Sequence, residues 1–104
     1  MSEAKPAASL SSLKPDELNV AFVNGMQVVL YVVDGQTYCT EDICSHEECF
    51  LSEGGWMEGT DVVCSCHDSH FDIRTGEVKN PPADAPIRTF PTRVEGDNVF
   101  VDVG

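Results

Sequence analysis

Two short motifs hold the side chains best suited to bind a metal. They are Cys44-Ser45-His46 and, after seventeen intervening residues, Cys64-Ser65-Cys66-His67. The pattern is C-x-H followed by C-x-x-H, two thiolates and two imidazoles in matched pairs. A tetrahedral zinc accepts such a donor set. So does a [2Fe–2S] cluster in which two His replace two Cys on one iron. Zinc modules usually pair Cys with Cys and His with His. Here each segment brings one of each, at a spacing that suits two loops each reaching across two irons. One iron would take Cys44 and Cys64, the other His46 and His67. Zinc stays open as the alternative at this level of reading.

The elements that must position these residues read as strands. Residues 1–8 are small, polar and proline-containing and are expected to form a mobile tail, with a first short strand over Ser9–Leu13. Lys14–Glu17 reads as a turn. Val20–Val23, Met26–Val33 and Gln36–Thr40 are strands joined by Asn24-Gly25 and Asp34-Gly35, both strong hairpin signals. Trp56-Met57 and Asp61–Val63 are short strands flanking a turn. Phe71–Val78 reads as a hairpin turning at Thr75-Gly76. Lys79–Pro86 is proline-rich and unsuited to a sheet interior. Ile87–Val94 and Val99–Val103 alternate apolar and polar residues and are expected to form a closing antiparallel pair. No segment shows a helical period. The expected class is all-β, small antiparallel sheets in a barrel-like base.

At 104 residues the chain is expected to be one domain. No run approaches the roughly 18–20 apolar residues of a membrane span. The N-terminus lacks a basic segment followed by an apolar one, so no signal peptide is expected and the cytoplasm is the expected location. The net charge of −12 argues against nucleic acid and anionic lipid surfaces. It would steer the protein toward a basic patch on a partner, or simply keep it soluble. Five cysteines are too few for a disulfide scaffold. Cys39 sits on a strand and reads as a core residue. Phe50 and Trp56 read as packing under the loops, with a docking role as the lesser alternative. His70 reads as a surface loop histidine pointing away from the metal. There is no activated nucleophile, no acid–base pair and no Gly-rich phosphate loop, so an electron carrier is expected in preference to an enzyme.

At the two metal-binding motifs the sequence closely resembles the Rieske family. The resemblance continues through Cys64–Gly76, similar to that family's second cluster loop and following hairpin, and to Pro81-Pro82, where the family has a proline loop covering the cluster. Leu51-Ser52-Glu53-Gly54-Gly55-Trp56 is similar to the small ferredoxins of aromatic-ring-hydroxylating dioxygenase systems. Overall the likeness spans roughly residues 28–104. It implies one Rieske [2Fe–2S] cluster held by Cys44, His46, Cys64 and His67. It also implies a cluster-binding lobe over about 42–83, inserted into a base formed by about 9–41 and 84–104. The implied function is one-electron transfer from an NAD(P)H-dependent flavin reductase to the Rieske cluster of a terminal aromatic-ring dioxygenase, by a monomer that binds neither nucleic acid nor membrane. Docking would use the tip around His46, His67 and Pro81-Pro82.

Some positions match instead the Rieske proteins of respiratory and photosynthetic complexes. Cys49 and Cys66 match two cysteines that form a loop-to-loop disulfide there, and the resemblance implies that bond here, with two small buried thiols as the alternative. Ser69 matches a serine whose hydroxyl reaches a bridging sulfide. Phe71 replaces a tyrosine, and Asp68 departs from the usual glycine. These matches favour an alternative, the soluble Rieske subunit of a respiratory oxidase or quinol-oxidising complex.

Overall fold

The computed structural model describes residues 4–43, 50–65, 69–80 and 86–103. Its centre is strand β3 (Met26–Val33), the longest among the described residues. The sequence Val-Val-Leu-Tyr-Val-Val is a nearly unbroken β-branched and aromatic run, suited to a strand covered on both faces. Side chains alternate across a strand. Val29, Tyr31 and Val33 therefore enter one buried cluster, while Val28 and Leu30 enter another.

Two hairpins build the sheet around β3. β2 (Asn19–Val23) meets it through Asn24-Gly25, and β4 (Gln36–Glu41) through Asp34-Gly35. All four turn residues have positive φ, at 52° and 82° in the first turn and 52° and 78° in the second. This is the two-residue turn whose twist matches the flanking strands, and Asn, Asp and Gly tolerate it best. The expected boundaries of these strands agree to within a residue.

The other elements make two further antiparallel sheets. β1 (Lys5–Ser9), β11 (Asn98–Val101) and β10 (Thr92–Glu95) form one, in that order. β5 (Trp56–Glu58), β6 (Asp61–Val63), β7 (His70–Asp72) and β8 (Val78–Asn80) form the other. β9 (Thr89–Phe90) completes the β2-β3-β4 sheet by pairing with β4. The base is thus two separate sheets in a barrel-like arrangement, without closure into one barrel. The β5–β8 sheet lies in sequence between β4 and β9. The all-β class holds: Leu10–Ser12, a single 3₁₀ turn, is the one helical segment among the described residues.

Two expectations at the chain ends need correction. Lys5–Ser9 falls almost wholly in the stretch read as a tail, yet it pairs with β11, with a register shift between Pro6 and Ala8. Proline is tolerated there because an edge strand does not need every N–H. The strand expected at Ser9–Leu13 is largely the 3₁₀ turn. It is anchored by Ser11, whose N–H and hydroxyl donate to the Asp97 carboxylate at 2.9 and 2.8 Å. Near the C-terminus, the strand expected over Ile87–Val94 breaks at Pro91. Residues before the proline join β4, and residues after it join β11. The crossing is held by Thr92, whose hydroxyl donates to the Thr37 carbonyl at 3.1 Å and bonds the Thr37 hydroxyl at 2.7 Å.

Two buried clusters divide the core. One joins Ala21, Val23, Val28, Leu30, Cys39 and Phe90 to Val99 and Val101, sealing the two base sheets together. The other joins Val29, Tyr31 and Val33 to Leu51, Val62, Cys64, Phe71, Ile73 and Ile87, seating the β5–β8 sheet on β3. Each fully buried aliphatic or aromatic side chain contributes about 1.5–3 kcal/mol relative to exposure.

The inserted sheet also depends on close backbone approaches. A Cβ on Gly55 would lie 2.1 Å from the Leu51 carbonyl oxygen, and one on Gly76 would lie 2.1 Å from that of Ile87. Gly76 also has φ of 82°. We therefore expect Gly55→Ala and Gly76→Ala each to destabilise the protein by about 3 kcal/mol or more, measured by urea denaturation. Gly96→Ala, with φ of 62° but open space around it, should cost only about 1 kcal/mol. Equal losses at the three sites would show that close approach is not the cause.

A second prediction concerns Asp72, nearly buried in the 70–78 hairpin. Its carboxylate accepts from Arg74 Nε at 3.0 Å and Arg74 Nη2 at 2.9 Å, and Lys79 Nζ lies at 3.9 Å. Hydrogen bonding from Arg74, with a smaller coulombic contribution from Lys79, holds its pKa below the ordinary 3.8 despite burial. A depressed carboxylate stabilises the fold above its unfolded pKa and loses that contribution as pH falls through the folded value. Asp72→Asn should therefore cost about 1 kcal/mol at pH 6, and the gap to wild type should close as pH drops below 3.8. A gap independent of pH would exclude the charge as its source.

Candidate metal centre

The two Cys/His motifs lie in segments framed in the same way. Ile43 and Phe50 form a single antiparallel bridge, enclosing residues 44–49. Val63 and His70 are the last pair of the β6–β7 ladder, enclosing residues 64–69. Each antiparallel pair therefore frames six residues of sequence, the first of them a cysteine; these two segments are the first and second loops below. Cys44, His46 and Cys49 of the first loop, and Cys66, His67 and Asp68 of the second, lie outside the described residues, as do Pro81 and Pro82. The ligand set and the Cys49–Cys66 pairing remain proposals.

Cys64 and Ser69, the two ends of the second loop, are described. Cys64 is 1% exposed and shares the buried cluster of Leu51, Val62 and Phe71. Its N–H donates to the Ser69 carbonyl at 2.9 Å, which closes the loop, and Ser69 itself is buried. A thiolate in such surroundings is costly without a cation beside it. Iron or zinc supplies that cation, so the site fits a metal ligand better than a redox-active surface thiol.

The base of the first loop is built on Asp42. Its main-chain carbonyl accepts from Leu51 N–H at 2.8 Å. Its carboxylate accepts from Ser52 N–H at 2.8 Å, from the Ser52 hydroxyl at 2.6 Å and from Gln27 Nε2 at 2.6 Å. Hydrogen bonds to a charged group contribute about 1.5–3 kcal/mol each. They tie the turn after the first loop to Asp42 just before it, and through Gln27 to β3.

The flanks of the two loops touch. The Ser65 hydroxyl donates to the Glu53 carbonyl at 2.9 Å, so the start of the second loop rests on the turn that follows the first. That turn can come close because Gly54, at φ of 87°, has no side chain: a Cβ there would be 3.0 Å from Ser65 Oγ. A Cβ on Gly55 would be 2.8 Å from the Val63 carbonyl oxygen. The Gly-Gly pair brings the loops to one place, as a centre with ligands from both requires. Asp42, Ser52, Gly54, Gly55 and Ser65 were not singled out by type and spacing.

Other candidates change role. Phe50 is 36% exposed and Trp56 41%, so neither is packed beneath the loops. Leu51 fills that space instead. Trp56 lies on the edge strand β5, its Nε1 donating to Glu58 Oε2 at 2.8 Å. His70 is on strand β7 instead of in a loop, with Nδ1 3.6 Å from Asp61 Oδ2. Cys39 is a core residue, as expected. Burial pushes its thiol up to about 12, which keeps it protonated and inert at neutral pH.

Comparison with known proteins agrees with this geometry. The Rieske [2Fe-2S] domain profile matches residues 3–91. The chain is 46% identical over 87 residues to the ferredoxin component of the p-cumate 2,3-dioxygenase system of Pseudomonas putida, covering 84% of this chain and 74% of that protein. It is 41% identical over 96 residues to the biphenyl dioxygenase ferredoxin subunit of Pseudomonas sp. strain KKS102, covering 92% and 88%. Among solved structures it is similar to a chain from the complex of reduced oxygenase and oxidised ferredoxin in carbazole 1,9a-dioxygenase. The TM-score there is 0.86 at 28% identity, over 95% of this chain and 92% of that one. With its two closed loops, its buried Cys64 and a family match over most of its length, the chain belongs to the Rieske [2Fe–2S] domain family.

Proposed function

We propose that this chain is the ferredoxin component of an aromatic-ring-hydroxylating dioxygenase system. It takes electrons one at a time from an NAD(P)H-dependent flavin reductase and delivers them to the Rieske cluster of the terminal oxygenase. It is an electron-transfer component, not the catalyst. The observation that carries the reading is the pair of six-residue loops, each beginning with a cysteine and joined at their flanks by Ser65 and Glu53. The ferredoxin relatives support it.

In this reading Cys44 and Cys64 would hold one iron, and His46 and His67 the other. When bound, the [2Fe–2S] cluster supplies reversible one-electron chemistry, in a range of roughly −150 to +300 mV for Rieske centres. The chain's own residues place and shield it. Leu51, Val62 and Phe71 close the interior side around Cys64. Ser69, buried at the end of the second loop, would offer its hydroxyl as a hydrogen-bond donor to the cluster.

Docking uses the tip around His46, His67 and Pro81-Pro82. Ile43 and Phe50, 47% and 36% exposed, extend it with a small apolar rim at the base of the first loop. A net charge of −12 directs this tip to basic partner surfaces, with an association rate that falls as salt rises. A monomer in the cytoplasm, without nucleic acid or membrane, completes the reading. No helix among the described residues is long and apolar enough to cross a membrane.

The deciding experiment combines absorption and low-temperature EPR spectra, oxidised and dithionite-reduced, with iron and zinc analysis of the same sample. About two irons per chain and a Rieske-type rhombic signal on reduction are expected. One zinc and no colour would overturn the proposal. His46→Ala and His67→Ala should each abolish that signal; an unchanged spectrum in either variant would exclude that residue as a ligand. Thiol titration of the denatured, non-reduced, metal-free chain tests the proposed Cys49–Cys66 bond. Three reactive thiols are expected from the five cysteines, and five would rule the bond out.

A further inference from the structure

Away from the tip, the fold leaves an apolar stripe uncovered beside an acidic groove. We infer that this stripe, along the side of β2, is a docking face for a redox partner that presents an extended segment of apolar side chains ending in an arginine. The inference rests on the electron-carrier reading above and adds a second contact face to it.

Strand register fixes the stripe. Val20 stands opposite Val29, and Phe22 opposite Gln27. Opposed residues project to the same side of a sheet. Val29 is buried with Leu51, Val62 and Phe71, so this is the side on which the β5–β8 sheet rests. That sheet covers β3 but stops short of β2. Val20 is 47% exposed and Phe22 66%, the highest value of any large apolar side chain among the described residues. Leu18, two residues before Val20, packs against the same buried cluster and continues the stripe. β2 is also the end strand of its sheet. Exposed end strands usually carry charges or proline, which discourage pairing. Residues 19–33 carry neither, in a chain of which 23% is charged.

The stripe runs into a groove of about 300 Å³ between Asp16–Leu18 of the base and Ser52 and Gly55–Met57 of the inserted part. Leu18 and Met57 both pack on the cluster beneath it, and the exposed residues Asp16 and Glu17 border it. An arginine matches this combination. Its stem can lie along the apolar side chains while its planar guanidinium bonds the two carboxylates. The acidic border repels nucleic acid and anionic lipid. It does not suit a second copy of this chain either. Arg74 is engaged by Asp72, Arg93 by Glu95, and Arg88 lies over Phe90, and each copy carries a net charge of −12. The face also adjoins the metal-site flank. Ser52, which lines the groove, donates to Asp42, and the next residue, Glu53, accepts from Ser65. A partner seated on the stripe therefore rests against the turn where the two loops' flanks meet.

The single tryptophan of the chain, Trp56, lines the groove and reports on it. The test is a low-salt titration of the holoprotein with the peptide acetyl-Arg-Thr-Leu-Ser-Val-Thr-Arg-amide, read by Trp56 emission. The peptide alternates apolar and polar residues and has arginine at both ends, so either chain direction serves. We expect a saturable change. Phe22→Ser, and Asp16→Asn combined with Glu17→Gln, should each weaken binding roughly fivefold. Asparagine tolerates the φ of 58° at position 16. Asp34→Asn combined with Glu77→Gln removes the same charge away from the groove and should weaken binding less than about twofold. If Phe22→Ser loses the Rieske EPR signal, Val20→Thr takes its place as the milder change on the same stripe. No saturable change in the wild type overturns the inference. So does an equal loss in the two charge variants, since general attraction to an acidic protein then accounts for binding. Sedimentation of the holoprotein alone should show a monomer; a dimer that the stripe variant dissociates would make a second copy the occupant and overturn the inference. A wild type without the Rieske signal overturns the carrier reading, and with it the redox partner as occupant, whatever the peptide does.

Discussion

Burial of β3 on both faces is the constraint from which the remaining structure follows. A strand with apolar residues at successive positions cannot leave either face in water. Val28 and Leu30 need the β1-β11-β10 sheet, and Val29, Tyr31 and Val33 need the β5–β8 sheet. The second requirement is the functional one. Sheets of three-residue strands bury too little to be stable alone. The β5–β8 sheet borrows its core from β3, and its last β6–β7 pair, Val63 and His70, frames the segment that begins with Cys64. Even the polar atom on this face is accounted for: the Tyr31 hydroxyl bonds Thr40 Oγ1 at 2.9 Å. Burial pushes that phenol well above its ordinary range, against the opposing effect of the Thr40 bond.

Insertion of a second sheet into the base requires the chain to leave and return without opening the core. The exit and the re-entry are side by side. Glu41 N–H donates to the Arg88 carbonyl at 3.0 Å, and Arg88 N–H donates to Glu41 Oε2 at 2.7 Å. One step further in, Ile87 N–H donates to the Gly76 carbonyl at 3.0 Å, clamping the last hairpin to the returning strand. Adjacent ends of this kind make an insertion tolerable, because the base pairs across the gap as if the chain were continuous. They also put Asp42, the next residue after the exit strand, at the junction of base, inserted sheet and first loop. Position explains why one side chain can reach β3 through Gln27 and the loop's return through Ser52.

Much of this was legible in the sequence, and the residues show why. Asn24-Gly25 and Asp34-Gly35 are local signals: the turn needs positive φ and these residues permit it, so the hairpins follow from four positions alone. The paired Cys and His are chemical signals that no common packing role imitates. The failures were all questions of tertiary context. Lys5–Ser9 has a weak strand pattern and gains its structure from the open edge of β11. Pro91 splits an apparently continuous alternation because two different sheets compete for its flanks. Phe50 and Trp56 look like core residues by type, but Leu51 occupies the space beneath the loops. Asp42 was one acidic residue among eighteen, and nothing in its neighbours marked it as buried. Only the fold shows that Gln27 and Ser52 converge on it.

A carrier that serves two partners must bind each briefly, and the surface chemistry is suited to that. The cations among the described residues are largely committed within the chain. Arg74 and Lys79 converge on Asp72, Arg93 pairs with Glu95 and lies over Phe100, and Arg88 lies over Phe90. Exposed acids remain, among them Glu53 beside Ser65 at the start of the second loop. Long-range attraction to a basic partner is therefore available, but it is screened within about 10 Å at moderate salt and does not hold a complex together by itself. In the proposed docking, short-range affinity would come from a few exposed apolar side chains, Ile43, Phe50 and Trp56, a patch far smaller than the core of a permanent interface. Fast encounter with weak retention is what repeated one-electron delivery requires.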